Sequence, residues 1–297
     1  MTSPLPDFFI IGAPRCGTTA LCRYLGGHPE VFVAGVKEMH HFGADIMNLP
    51  EFKDRARYLT EFESAAGKKR IGEASVWYLY SELAAREMKQ FNPASRIIVM
   101  LRNPVEMIVS LHAKLLLIGS ETERDLGRAL AREEERKDKV RLPDGTVPLR
   151  PFFYREVGQY SRRVERYLEE FGRERVHVMI YDDFQRDLAG EYRRTLAFLE
   201  VAPDFTPDFT PVNEHRGVRS LMLNRLLRAA PEWAWALRRK LLPRDFHPGR
   251  VLMRLNNPAA PRPVMEEEVR RDLHRELAPD VERLSELLGR DLSHWSK

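Results

Sequence analysis

An α/β fold, with a central parallel sheet between layers of helices, is what this sequence predicts, and three observations predict it. Short apolar runs rich in β-branched and aromatic residues alternate with longer helical patterns. Two glycines at phosphate-loop spacing sit where the first of those runs gives way to the first helical pattern. With 297 residues, 43% hydrophobic and 31% charged, the chain can bury one core. A single domain over 1–297 is expected, with a C-terminal helical portion from about residue 219.

Asp7 to Ile11 reads as the first strand and Thr18 to Leu25 as the first helix, with a short strand at Val31 to Val33. Arg70 to Glu73, Ile97 to Leu101 and Val176 to Tyr181 read as further short buried strands, each adjoined by a longer helical pattern. After Leu101, Asn103-Pro104 supplies a capping residue and a proline at the first helical position, so a helix is expected through about Leu117. Between Arg124 and Lys139 charges dominate, which predicts a solvated helix face. Leu142-Pro-Asp-Gly-Thr is a turn. Tyr160, Val164, Tyr167, Leu168 and Phe171 recur at helical spacing as a core stripe that ends near Gly172. From Pro203 a tandem Pro-Asp-Phe-Thr duplication excludes helix and predicts a loop. A proline-rich stretch from Asn256 to Pro263 separates the aromatic region around Trp233 and Trp235 from a final amphipathic helix ending near Leu288.

Composition narrows the function classes. A net charge of +4 suits an anionic ligand, but basic and acidic residues are intermixed and no nucleic-acid module appears, so no nucleic-acid partner is expected. The longest apolar runs, Phe8 to Ile11 and Ile97 to Leu101, are far shorter than the roughly 20 residues of a membrane-spanning helix. The stretch around Asp7 lacks a basic leader and a long apolar centre, which points to the cytoplasm. Cys16 and Cys22 offer no disulfide framework and read as thiols.

The strongest chemical signal is Gly12-Ala-Pro-Arg15-Cys16-Gly17-Thr18-Thr19. Glycines let successive backbone N–H groups converge on an anion, and the positive end of the following helix adds to the field. Nucleoside-triphosphate loops carry lysine directly after the second glycine; here Thr18 stands there and the loop's cation is Arg15. Without that lysine, or a clear metal-binding aspartate after a second strand, Mg²⁺-dependent hydrolysis is disfavoured.

Gly12 to Thr19 resembles the 5′-phosphosulfate loop of sulfotransferases that use 3′-phosphoadenosine 5′-phosphosulfate (PAPS), and Arg102-Asn-Pro104 followed by Ser110 resembles their 3′-phosphate motif. The resemblance implies a fold like a P-loop nucleotide-kinase core and a cofactor with two anionic ends. Val36-Lys37-Glu38-Met39-His40-His41-Phe42 resembles the Lys-Glu-Pro-His-Phe-Phe signature of heparan-sulfate-type and related bacterial members, with Met39 for proline and His41 for the first phenylalanine. Carried over by position, Lys37 contacts the bridging or sulfuryl oxygens, Glu38 deprotonates the acceptor and His40 supports it. Whether Glu38 or a histidine is the base stays open, with Glu38 favoured. Gly72-Glu73-Ala-Ser-Val-Trp-Tyr78 resembles a stretch lining the acceptor cleft, which puts Glu73, Tyr78 and the neighbouring His41 on the acceptor side. Arg216-Gly217-Val-Arg219 resembles the late segment that folds over the 3′-phosphate and adenine, and Leu284 to Trp295 resembles bacterial C-termini.

The implied activity is in-line, metal-independent sulfuryl transfer from PAPS to a hydroxyl or amine of a small-molecule or carbohydrate acceptor, leaving 3′-phosphoadenosine 5′-phosphate (PAP). A small-molecule kinase or NTPase on the same core predicts a lysine at Thr18 and Mg²⁺ ligands nearby; a silent nucleotide-binding protein predicts that Lys37 and Glu38 are dispensable. The loops Asp138 to Tyr154 and Pro203 to Gly217 carry no legible acceptor code, and no segment specifies an oligomeric state.

Overall fold

A computed structural model describes residues 4–46, 53–140, 149–210 and 265–297, with isolated positions between 220 and 258. Five strands form one all-parallel sheet: β1 Phe8–Gly12, β2 Val31–Val33, β3 Arg70–Ala74, β4 Arg96–Leu101 and β5 Val176–Ile180. Their spatial order is β2-β3-β1-β4-β5. From β1 the chain goes outward to β2 and returns through β3, then crosses to build β4 and β5 on the other side. The carboxyl ends of β1 and β4 therefore flank the point where strand order reverses, the place where open α/β sheets bind ligands.

β1 and β4 are near-continuous apolar runs because both of their faces are covered: every residue of Phe8–Gly12 is buried, as are all residues of β4 after Arg96. Gly12 is opposite Met100, and the two backbones pass so closely that a Cβ on Gly12 would lie 2.6–2.7 Å from the Met100 backbone N and O. The φ of +150° at Gly12 adds to this demand for glycine.

The helix Pro104–Ile118 starts as its residues dictate: the Asn103 side chain accepts from the N–H groups of Val105 and Glu106, with Pro104 at the first helical position. The aromatic stripe forms the buried face of the helix Ser161–Phe171, which Gly172 ends at φ +81°. Asp280, on the long helix Glu267–Leu288, caps it from outside by accepting from the Tyr160 and Ser161 N–H groups at 2.6 and 3.2 Å. Among the described residues no helix is long and apolar enough to cross a membrane.

Three local expectations change. The last strand stops at Ile180, and Tyr181 opens the helix Tyr181–Arg186, because its ring turns toward Arg102 instead of continuing the ladder. The charged stretch after Arg124 forms two helices, Leu126–Ala131 and Glu133–Val140, and is only partly solvated. Glu133 is buried, accepting from the Tyr154 N–H at 2.7 Å and pairing with Arg155, while Arg136 makes a two-pronged contact with buried Glu121 at 2.6 and 3.0 Å. In the proline-rich loop, the tandem repeat sets Phe205 against His28 and Phe209 against Tyr24 and Tyr192, so the duplication works as a pair of anchors. Trp233 and Trp235 lie outside the described residues.

The Gly12 contact gives a stability test. Gly12→Ala is expected to lower unfolding free energy by about 2–4 kcal/mol, read from urea midpoints, because a backbone clash cannot relax as a side chain would. Gly35→Ala, whose added Cβ meets nothing within 4 Å, is expected to stay within about 0.5 kcal/mol. Equal midpoints would contradict the close approach of β1 and β4.

Candidate active site

Three segments meet at the carboxyl edge of β1, β3 and β4. The first is the glycine loop. The Ala13 N–H donates to the Met100 carbonyl at 2.9 Å, and positive φ at Arg15 and Gly17, 67° and 89°, curls the backbone into the helix Thr18–Gly26. Gly17 caps that helix without a side chain, and no acidic residue lies in its first turn, so the positive helix end is left for an anion. Cys16 and Cys22 are buried, and burial pushes both thiols up, Cys22 to about 11, so neither is a thiolate nucleophile.

The second segment follows β2 and runs beside the end of β3, where the Ala34 and Glu38 N–H groups each donate at 2.9 Å to the carbonyls of Gly72 and Ala74. It carries Lys37 back to the glycine loop: Nζ lies 3.2 Å from Thr18 Oγ1 and 3.0 Å from Thr19 Oγ1. The lysine absent at position 18 is thus supplied from another loop to the same two hydroxyls. Glu38 and His40 adopt φ of 60° and 51°, a left-handed conformation that costs a non-glycine residue on the order of 1–2 kcal/mol. Hydrogen bonds offset that strain. The Val76 N–H donates to Glu38 Oε2 at 3.0 Å, the His41 N–H to the Tyr78 hydroxyl at 2.9 Å, and Lys53 Nζ to the carbonyls of His40 and His41 at 3.0 and 2.9 Å.

Burial raises the Glu38 carboxyl, while Lys37 and the Val76 N–H pull it back. His40 is driven down to about 4 by burial, with Lys53 adding to the effect. At neutral pH it is an uncharged imidazole, with Nε2 3.7 Å from Glu38 Oε2. Glu73 is raised to about 7 by burial, although the hydroxyls of Tyr58, Tyr78 and Ser75 oppose the rise. Glu73 and Tyr78 are closed off from solvent, and their polar contacts lie within and below the 37–42 segment; His41 is half-buried and stacks flat on Tyr58 at 3.9 Å.

The third segment is Arg102 and Ser110. Arg102 is buried at the end of β4, its guanidinium 5.1 Å over the Tyr181 ring and 3.4 Å from Glu106. Arg15 Nε donates to Ser110 Oγ at 3.0 Å, joining two motifs separated by 95 residues. Desolvation and then the Arg102 charge lower the basicity of Arg15, as expected of two cations gathered where an anion would sit between them. Arg216 and Gly217 lie outside the described residues.

Sequence reasoning missed Tyr181, Tyr58, Lys53 and the tie made by the chain's end. Trp295 Nε1 donates to Asp182 Oδ2 at 2.9 Å, and Asn103 Nδ2 reaches the Trp295 carbonyl at 3.4 Å. An aromatic residue at the carboxyl end of the last strand was the available signal for Tyr181. Nothing local marked Tyr58 or Lys53. Together the three segments offer two poles of positive charge and hydroxyl donors, Lys37 with Thr18 and Thr19 beside the Glu38 carboxylate, and Arg102 with Arg15 and Ser110 beside Glu106. That donor set fits a ligand with two anionic groups.

A family model described as "Sulfotransferase domain" matches residues 5–216. The chain is similar to the crystal structure of a sulfotransferase from Alicyclobacillus acidocaldarius, at 32% identity and a TM-score of 0.75, covering 99% of this chain and 100% of that one. It is also similar to carbohydrate sulfotransferase 15 of Mus musculus, 32% identical over 148 residues, 36% of this chain and 26% of that protein. With the membrane-associated sulfotransferase kil1 of Dictyostelium discoideum it shares 32% identity over 106 residues, 36% of this chain and 22% of that protein. The chain thus spans about a quarter of the length of these curated relatives.

His40 gives the pH prediction of this site. Its folded pKa of about 4 lies below the usual 6.5, so its contribution to stability is present above pH 6.5 and is lost as pH falls toward 4. The His40 imidazole NMR signal is expected to stay at its neutral position from pH 8 to pH 5; a midpoint near 6.5 would show a solvated ring.

Proposed function

The chain belongs to the sulfotransferase family, and from that premise we propose that it transfers a sulfuryl group from PAPS to a hydroxyl or amine of a carbohydrate or small-molecule acceptor. The observation that carries this reading is the Lys37 ammonium against the hydroxyls of Thr18 and Thr19, with Glu38 next in sequence and held by Val76. A cation for the leaving oxygen and a base for the incoming one then come from adjacent residues of one strained loop.

Thr18, Thr19, Lys37 and the backbone of Arg15, Cys16 and Gly17 would hold the 5′ end of the donor. Arg102, Ser110 and Arg15 would hold its 3′-phosphate, to which the sequence resemblance also assigns Arg216 and Gly217. PAPS supplies the activated sulfuryl group when bound there. Glu38 takes the acceptor's proton, and burial raises its basicity toward the range in which a carboxylate serves as an effective base. His40 stays neutral beside it, so it adds no charge that would lower that basicity. Lys37 and the helix N-terminus concentrate positive charge where the leaving phosphate develops negative charge, the role a Mg²⁺ ion plays in phosphoryl transfer.

Calorimetric titration with PAP in EDTA is expected to show binding stronger than that of ATP with Mg²⁺; the reverse preference would favour a kinase or NTPase. Arg102→Ala is expected to weaken PAP at least about tenfold, because a buried guanidinium–phosphate contact is lost. Glu38→Gln is expected to leave PAP affinity within about twofold and to slow PAP release from PAPS by about 10²-fold or more. Unchanged release would remove Glu38 from the role of base.

A further inference from the structure

The Glu73 carboxyl is fully buried and has no basic partner among the described residues, yet three hydroxyls point at it. Tyr58 and Tyr78 donate to Oε1 at 2.7 and 2.9 Å, and Ser75 donates to Oε2 at 3.1 Å. Burial, and then the negative charge of Glu73, push both phenols well above their usual range, so they remain proton donors.

Oε1 accepts both phenols whether the carboxyl is ionised or carries its proton on Oε2, so it dictates where each phenolic proton points. With its proton committed to Glu73, the Tyr78 oxygen turns its lone pairs to the N–H groups of His41 and Phe42, at 2.9 and 3.5 Å. Ser75 Oγ likewise accepts from the His40 N–H at 3.4 Å. Tyr58, anchored by the same carboxylate, presents its ring flat to His41, with an interplanar angle of 4°. Four of the contacts under the 38–42 loop therefore depend on one buried group. That loop contains two residues in left-handed backbone conformation, a strain that persists only where surrounding contacts hold it.

We propose that Glu73 is a positioning residue for the transfer centre, orienting through Tyr58, Tyr78 and Ser75 the loop that carries Lys37, Glu38 and His40. This rests on the reading of Lys37 and Glu38 given above. The acceptor does not need to touch Glu73: the carboxyl acts one layer beneath the reacting groups, and its hydroxyl donors transmit its effect.

The test uses the full chain with Glu73→Leu, Glu73→Gln and Tyr78→Phe. Three readouts apply: hydrogen exchange across residues 38–42, PAP affinity, and PAP release from saturating PAPS with water as acceptor. In Glu73→Leu, exchange at 38–42 should quicken by about tenfold or more while exchange in β1 and β4 is unchanged. PAP affinity should stay within about threefold and release should slow by about tenfold. Glu73→Gln should recover most of the loop protection and most of the rate, because its amide oxygen still accepts both phenols. Should Glu73→Leu fail to fold, Tyr78→Phe carries the test, with faster exchange expected at His41 and Phe42. Unchanged exchange at 38–42, or an equal rise throughout β1 and β4, would overturn the proposal. The two readings fail separately: unchanged release in Glu38→Gln removes the base, whereas unchanged loop exchange in Glu73→Leu removes the positioning role.

Discussion

The contact of β1 with β4 at Gly12 and Met100 is the constraint on which the rest of the site depends. Two parallel strands at the centre of the sheet end at the same height, and no side chain stands between them. The glycine loop leaves one strand as Arg102 leaves the other. That is why Arg15 and Ser110, far apart in sequence, come within hydrogen-bond distance. A bulkier residue at position 12 would push the strands apart and separate the two clusters of cations and hydroxyls.

Around this junction the molecule gathers cations and hydroxyl donors, an arrangement costly in itself and favourable only with an anion to share. Arg102 is partly compensated by Glu106, which also pairs with Arg270 at 2.9 Å, so the long C-terminal helix is coupled to the same corner of the sheet. On the other side Lys37 and Glu38 stand next to each other in sequence but differ in task, the ammonium turned to the threonines and the carboxylate to Val76. Burial sets their chemistry further: it raises Glu38 and leaves His40 uncharged. A carboxylate of raised basicity beside a fixed cation suits proton removal coupled to departure of an anionic group.

Parts remote from the chemistry hold these loops by the same physics. Phe205 and Phe209 fasten a chain that has no regular structure to the first helix and to Tyr192, and Trp295 fastens the chain's end to the residues following β5. In each case an aromatic ring or a buried hydrogen bond replaces secondary structure as the means of fixing a loop. Glu133, and Arg136 through its pair with buried Glu121, serve the same end within a stretch whose composition suggested only a solvated surface.

The sequence by itself determined the layered α/β plan, the strand positions to within a residue or two, the glycine loop and the helix start at Asn103-Pro104. These rest on periodicity, backbone conformational preference and capping, all of which act over a few residues. It also marked the glycine loop, the Lys37-Glu38-Met39-His40 segment and Arg102 with Ser110, because loop glycines and clustered polar residues are conspicuous against apolar strands. Tertiary structure alone decided that Lys37 reaches Thr18 and Thr19, that Tyr181 turns out of the last strand to cover Arg102, and that Glu73 sits buried under the 37–42 loop. Tyr58 and Lys53 joined the site without any local mark. Such partners are chosen by sheet order and burial, which depend on contacts between residues distant in sequence, and no local pattern records which side chains those contacts bring together.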